Sequence, residues 1–430
     1  LRFDPKDVER LTSNVKQIQD DVLEEILKAN ANTEYLRRFL HGSTDKELFK
    51  KNVPVVTYED VKPYIDRVAN GEPSNVISGE PITTFIRSTG TSGGKHKIFP
   101  ANNKYVEDLA FIIALRSFVI SKHIDVVEQG KTMTFHFTVP RYNTLSGLPV
   151  VPTMMSFLMS DYFKKRSSNF FTSPDEVIFC PTYKHNMYCH LLCGLVRRDE
   201  VVSIASTFAC SLVGSITFLE KNWRELCSNI RSGYLSEWIT DLPCRDSVSI
   251  ILGGPNPELA DLIEHECIHN SWEGIITRLW PNIKFIQCIF TGSMAQYTPI
   301  LNFYSKRVPL ISPNYGASET MFGVNMNPLC KPEDVSYTFM PNLSYVEFIS
   351  VDEGSNEEIV DLVNVKLGCF YEPLVTNHSG LHRYRMGDIL EVTGFHNSAP
   401  QFKFVRRKNM VISVLLEATT EEDILKALTH

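Results

Sequence analysis

From residue 130 onward the chain alternates short apolar runs with amphipathic helical segments, and this alternation limits its fold more than any other feature of the 430 residues. TMTFHFTV, EVIFC, VSIIL, IKFIQCIFTG and VPLISPNYG read as strands, while PELADLIEHECIHN and TPILNFYSKR repeat at helical spacing. Such a chain covers its sheet by crossing over it, so the pattern predicts an α/β fold with largely parallel sheet. Between 345 and 405 the pattern turns strand-rich (YVEFISV, EIVDLV, DILEVTGF, FKFVRR), which predicts a β subdomain. Residues 1–50 read as helices, with Leu11, Ile18, Val22, Ile26, Leu36 and Phe39 on an apolar face. The stretch 104–121, capped by Asn102 or Asn103, is apolar nearly all round and is expected to be a buried helix. One simple core does not serve a chain this long, so two or more subdomains are expected.

The uncharged stretch VVSIASTFACSLVGSITFL (201–219) repeats Ile204, Phe208, Leu212 and Ile216 every four residues, which predicts a buried helix rather than a membrane span. A net charge of −7 argues against a nucleic-acid partner. Ten cysteines without a C-x-x-C pair fit a reducing, cytoplasmic setting, and the N-terminal segment lacks a signal-peptide pattern.

Three short elements carry chemistry. STGTSGG (88–94) packs Ser88, Thr89, Thr91 and Ser92 among glycines, with Lys95 next. Glycines allow close backbone approach and successive N–H groups form an anion nest, although neither the P-loop nor the dinucleotide spacing is met. A plain surface turn accounts for the loop equally well. NYGASE (314–319) follows an apolar run, where open α/β sheets bind ligands; Glu319 there suits magnesium, or simply begins a helix. YRMGDIL sets Asp388 after a glycine turn, able to accept from both hydroxyls of a ribose, or merely completing a β-turn. FKFVRRKNMVIS then ends an apolar run on Arg406, Arg407 and Lys408.

In this order the elements resemble the adenylate-forming superfamily. With TGSMAQY and CKPEDVSYTFMPN they are similar to the plant Gretchen Hagen family of acyl acid amido synthetases, from the first helix to the basic hinge. The resemblance implies a large adenylate-forming N-terminal domain over 1–408, with parallel-rich sheets, buried helices and a β subdomain. Residues 409–430 would be a hinge and the start of a smaller C-terminal domain, almost entirely missing from this chain. It implies a ligase that uses ATP and Mg2+ to activate a carboxylic acid as an acyl-adenylate, then joins it to an amino acid. Ser88, Thr89, Thr91 and Ser92 would hold phosphate, and Tyr315, Gly316, Ala317 and Ser318 would line the nucleotide. Glu319 would reach magnesium, Tyr337 would meet adenine, Asp388 would take the ribose, and Arg407 aligns with the hinge arginine. The expected partners are small carboxylic acids and amino acids, with no nucleic acid and no membrane, and a monomer is expected.

Arg116 lies in the middle of the apolar helix, on one face with Leu109, Ile112, Ile113 and Ile120. A buried guanidinium needs a carboxylate, either an internal acid or the substrate's own. The family pattern favours the substrate, with Ile112, Ile113 and Met154 as apolar walls; Ile113 leaves room for an aromatic or indole-type acid. Two readings compete. HECIH (265–269) is a literal H-E-x-x-H zinc-protease motif, though no third ligand follows at the usual spacing. A non-catalytic nucleotide-binding regulator would keep the pocket without turnover.

Overall fold

The computed structural model describes residues 4–89, 96–125, 130–137, 141–166, 170–268, 271–351, 358–408, 411–414 and 417–420. The expected alternation builds a four-stranded parallel sheet from Lys131–Phe135, Val201–Phe208, Phe285–Ile289 and Leu310–Ile311, in that spatial order. Helices Tyr183–Val196, Ala209–Ser232 and Pro257–Ile268 share its core, where Leu191, Ile204, Leu212, Ile216 and Trp280 are fully buried. The expected β subdomain is a nine-stranded, antiparallel-rich sheet drawn from residues 314–407. A smaller four-stranded sheet contains the hairpin Thr84–Arg87 and Ile98–Ala101. The helix Asn103–His123 starts at the Asn102 cap, as anticipated.

Three expected elements differ. EVIFC does not form a strand: Asp175–Ile178 is a short helix led by Pro174. VSIIL is the end of helix Leu242–Leu252, whose Asp241 cap, first-turn proline and C-terminal Gly253 (φ +65°) are ordinary helix boundaries. The stretch 201–219 is half strand and half helix, switching at Ala209. Ile204 and Phe208 lie in a central strand whose residues 201–206 are all buried, so its uncharged pattern reports burial of two faces rather than helical period. Among the described residues no helix is long and apolar enough to cross a membrane.

A buried arginine, ion-paired within the large sheet, fastens the N-terminal helices to it. Arg383, in a left-handed conformation (φ +49°), donates to Glu347 at 2.9 and 3.0 Å. It also donates to the carbonyls of Lys50 and Val53 at 2.8 and 2.9 Å. With both side chains under a tenth exposed, each charge relies on the other. Arg383→Met is expected to lower the free energy of unfolding by about 3–5 kcal/mol, and Arg383→Met/Glu347→Leu to regain most of it. Urea unfolding of both variants checks this; equal losses would show that the carbonyl contacts matter more than the ion pair.

Candidate functional site

The site lies where the two large sheets meet. Leu310–Ile311 ends the parallel sheet, and after Ser312 and Pro313 the strand Asn314–Gly316 joins the antiparallel one. Its hairpin partner Met321–Val324 returns through the turn Ala317–Thr320, closed by the Ala317 N–H on the Thr320 carbonyl at 2.8 Å. A Cβ at Gly316 would stand 2.6 Å from the Met321 sulfur, so a larger residue here would push that flexible side chain aside. Ala317 and Ser318 in the turn are half-buried.

Asp388 and Arg407 begin and end neighbouring strands and face each other in register. The guanidinium Nε stands 3.4 Å from Asp388 Oδ1, while the Tyr315 hydroxyl donates to Oδ2 at 2.5 Å. Burial pushes the Asp388 carboxyl up, and Arg407 and Tyr315 oppose the shift. Tyr315 is itself stacked on Phe322, with ring centroids 4.8 Å apart, and Tyr337 lies 5.9 Å away. The Tyr337 hydroxyl is buried and engaged with Ser312 at 2.7 Å and Thr291 at 3.3 Å, so its ring forms the floor beneath Tyr315.

Glu319 is buried, and its carboxyl is pushed up to about 7 by desolvation, with Arg407 and Lys97 pulling the other way. The same neighbourhood reaches the Ser/Thr/Gly loop, which turns out to join the two strands of a hairpin. There the Lys97 N–H donates to Ser88 Oγ at 2.9 Å, and the Ser88 N–H donates to the Lys97 carbonyl at 2.8 Å. Ser88 therefore closes the hairpin, and Thr89 is exposed. Thr91, Ser92 and Lys95 lie outside the described residues.

On the other side of the strand, the Arg116 guanidinium donates to Asn314 Oδ1 at 2.9 Å. Burial lowers it to about 10, and among the described residues no carboxylate is paired with it. The internal-acid alternative thus finds no partner there. His136, lowered to about 4 by burial and by Arg116, has a buried Nδ1 without a hydrogen-bond partner. The Tyr105 hydroxyl ties this helix to the turn, at 3.4 Å from the Ala317 carbonyl and 3.0 Å from Thr153 Oγ1. Ile113 is half-buried, whereas Ile112 is fully enclosed in the core around Leu109 and Leu115. Met154 packs with Leu158, Phe163, Ile178 and Phe171 in an adjoining aromatic cluster.

The sequence reading gave no role to Asn314, Lys97 or His136. Asn314 opens NYGASE, and His136 is the one polar ring inside TMTFHFTV, a usable signal because burial of such a ring calls for a partner. The H-E-x-x-H reading gains no support. Glu266 is paired with Arg278 at 3.2 Å, and His269 lies outside the described residues.

Comparison with known proteins places this geometry in context. The GH3 family N-terminal domain matches residues 5–310, and the GH3 family central domain matches residues 337–407. The 4-substituted benzoates-glutamate ligase GH3.12 of Arabidopsis thaliana is 60% identical over 428 residues, covering 99% of this chain and 74% of that protein. Indole-3-acetic acid-amido synthetase GH3.17 of the same plant is 47% identical over 460 residues, covering 100% of this chain and 76% of that protein. The structure of AtGH3.15 acyl acid amido synthetase in complex with 2,4-DB superposes with a TM-score of 0.91 at 49% identity, covering 100% of this chain and 75% of that one. The chain thus spans about three quarters of the length of these relatives.

The raised Glu319 carboxyl has a measurable consequence. Its folded-state value lies above its ordinary one, so the folded chain holds this proton more tightly than the unfolded chain. Ionising it costs nothing below pH 4.5, and the cost grows as pH rises to about 7. Glu319→Gln is expected to match the parent near pH 4.5 and to exceed it at pH 8 by up to ~3 kcal/mol. Urea midpoints measured across this range check it; a pH-independent difference would mean the carboxyl ionises freely.

Proposed function

This chain belongs to the GH3 family, and on that basis we propose that it is an ATP-dependent acyl acid amido synthetase acting in the cytoplasm as a monomer. The observation that carries the reading is Arg116: a half-buried cation, held by a neutral amide, one residue along the strand from the tyrosine that binds Asp388. A cation with no counter-ion among the described residues, beside a carboxylate suited to a ribose, is what joining a carboxylic acid to a nucleotide requires.

In the proposed first step an oxygen of the acid's carboxylate forms a bond to the α-phosphorus of ATP, and the bond to the pyrophosphate oxygen breaks. In the second, the amine of an amino acid adds to the activated carbonyl, AMP departs with the bonding electron pair, and the amine loses a proton. Arg116 would orient the acid's carboxylate, while Ile113 and Met154 border an apolar space for an aromatic or indole-type ring. Substrates of that class are in keeping with the relatives named for 4-substituted benzoates and indole-3-acetic acid. Much of the rate would come from alignment of the two reactants in a site of fixed dipoles.

The donor set fits the nucleotide. A carboxylate offers about four lone-pair positions, and Tyr315 and Arg407 occupy two on Asp388, leaving room for two ribose hydroxyls. Tyr315, Gly316, Ala317 and Ser318 would line the nucleotide over the Tyr337 floor. Ser88, Thr89, Thr91 and Ser92 would face phosphate, with Lys97 adding positive charge. Glu319 fits magnesium for an electrostatic reason: a buried carboxyl raised to about 7 is one a hard dication would ionise. Bound there, the ion would neutralise phosphate charge.

Two variants test the reading. Arg116→Leu is expected to weaken binding of a carboxylic acid such as benzoate or indole-3-acetate by more than about tenfold, with ATP affinity and melting temperature nearly unchanged. Calorimetric titration and a thermal melt decide it; a large melting loss with intact acid binding would overturn the assignment. Asp388→Asn is expected to cost about 1.5–3 kcal/mol of nucleotide binding and to bring ATP level with 2′,3′-dideoxy-ATP. If the variant keeps the parent's preference for the full ribose, Asp388 only shapes its turn.

A further inference from the structure

Among the helices that cover the parallel sheet, three metal-binding side chains converge, with a further buried cysteine near them. Cys180 follows the short helix Asp175–Ile178, and Cys189 lies within Tyr183–Val196. Asp241 caps Leu242–Leu252, and Cys244 sits in its first turn. The ligand atoms of Cys180, Asp241 and Cys244 all lie within 4.8 Å of one another. Cys189 neighbours Cys244, whose thiol it helps to push up, but its sulfur stands outside that 4.8 Å trio. All three cysteines are buried at 2% exposure or less.

Buried thiols commonly pack as small apolar groups, and Cys193, Cys227, Cys267 and Cys288 do so in this same core. Asp241 sets the trio apart, because a carboxylate among sulfurs makes a poor apolar contact. Its orientation is fixed, since Oδ1 accepts the Cys244 N–H at 3.0 Å as the helix cap, leaving Oδ2 as a donor atom. Asp241-x-x-Cys244 also has the two-residue gap found in zinc-binding pairs. Tetrahedral zinc, with Zn–S near 2.3 Å and Zn–O near 2.1 Å, would bring the ligand atoms of this trio to about 3.6–3.8 Å, a contraction of roughly 1 Å at most, and would draw the Cys189 sulfur in from farther out.

We infer that Cys180, Asp241 and Cys244, with Cys189 as the fourth donor, form a structural zinc site that clamps these three helical segments together. Binding forms three Zn–S bonds and one Zn–O bond, and releases the three thiol protons to solvent. A redox disulfide is the weaker reading. The Cys244 contact and burial push the Cys180 thiol well up, with Asp241 adding to the shift, so little thiolate is present to attack an oxidant. A dication displaces those protons outright.

The test uses the full chain, purified without an affinity tag. Elemental analysis is expected to find about one zinc per chain, and Co2+ added to the zinc-stripped chain to give a thiolate-to-cobalt charge-transfer band with tetrahedral d–d transitions. Cys180→Ala and Cys244→Ala should lose the metal, while His265→Asn, in the H-E-x-x-H segment, should keep it. Two outcomes overturn the proposal: a zinc-poor chain whose cobalt form lacks the thiolate band, or zinc kept by Cys244→Ala and lost by His265→Asn. The cobalt spectrum needs no variant, so it decides the matter even if the alanine chains misfold.

Discussion

The architecture turns on how the chain passes from one sheet to the other. Between Ile311, the last residue of the parallel sheet, and Asn314, the first of the antiparallel one, stand only Ser312 and Pro313, both buried. Irregular backbone in such a place must find partners for its polar groups. Asn325 supplies them, its N–H on the Pro313 carbonyl at 2.9 Å and its side-chain amide on the Ser312 carbonyl at 3.3 Å. The Ser312 hydroxyl meets the Tyr337 hydroxyl at 2.7 Å. Because the crossing is so short and so fully bonded, Asn314 and Tyr315 have little freedom. Arg116 is positioned against the first and Asp388 against the second, so one rigid crossing sets both halves of the proposed site.

The buried and half-buried charges divide into two kinds. Arg383 with Glu347, and Arg385 with Glu372, are close pairs whose geometry satisfies both members. Arg116 and Glu319 differ: a neutral amide holds the first, and burial has driven the second toward its protonated form. Leaving a buried charge without a counter-ion is expensive, and such sites persist where a ligand completes them. Arg116 and Glu319 border the crossing together with the paired Asp388 and Arg407, whereas Arg383 and Glu347 lie against the Lys50 and Val53 carbonyls. Such an arrangement suits the charged substrates proposed above, with dipoles fixed before they arrive.

The sequence was informative wherever its signal was local. The Asn102 cap, the strand-rich stretch after 345, the glycine turn before Asp388 and the amphipathic helix Pro257–Ile268 appear where they were expected. VSIIL was misread because its apolar run outweighed the Asp241, Pro243 and Gly253 boundary signals around it. Residues 201–219 were misread for a different reason. A strand covered on both faces and a buried helix both lack charges, so the four-residue repeat of Ile204, Phe208, Leu212 and Ile216 ran across the switch at Ala209 without marking it.

By itself, the sequence determined the α/β class, the β subdomain, the order of the nucleotide-like elements and the placing of Arg116 on an apolar helical face. These depend on neighbours a few residues apart, and the chain writes such relations directly. Only the tertiary structure decided that Arg116 meets Asn314, that Tyr315 donates to Asp388, and that Arg407 lies in register with that aspartate. The same holds for Cys180, brought to Asp241 and Cys244 by the packing of separate helices. Strand register and helix packing are set by how whole faces fill the core, and a contact across such a face leaves no mark in the spacing of the residues that make it.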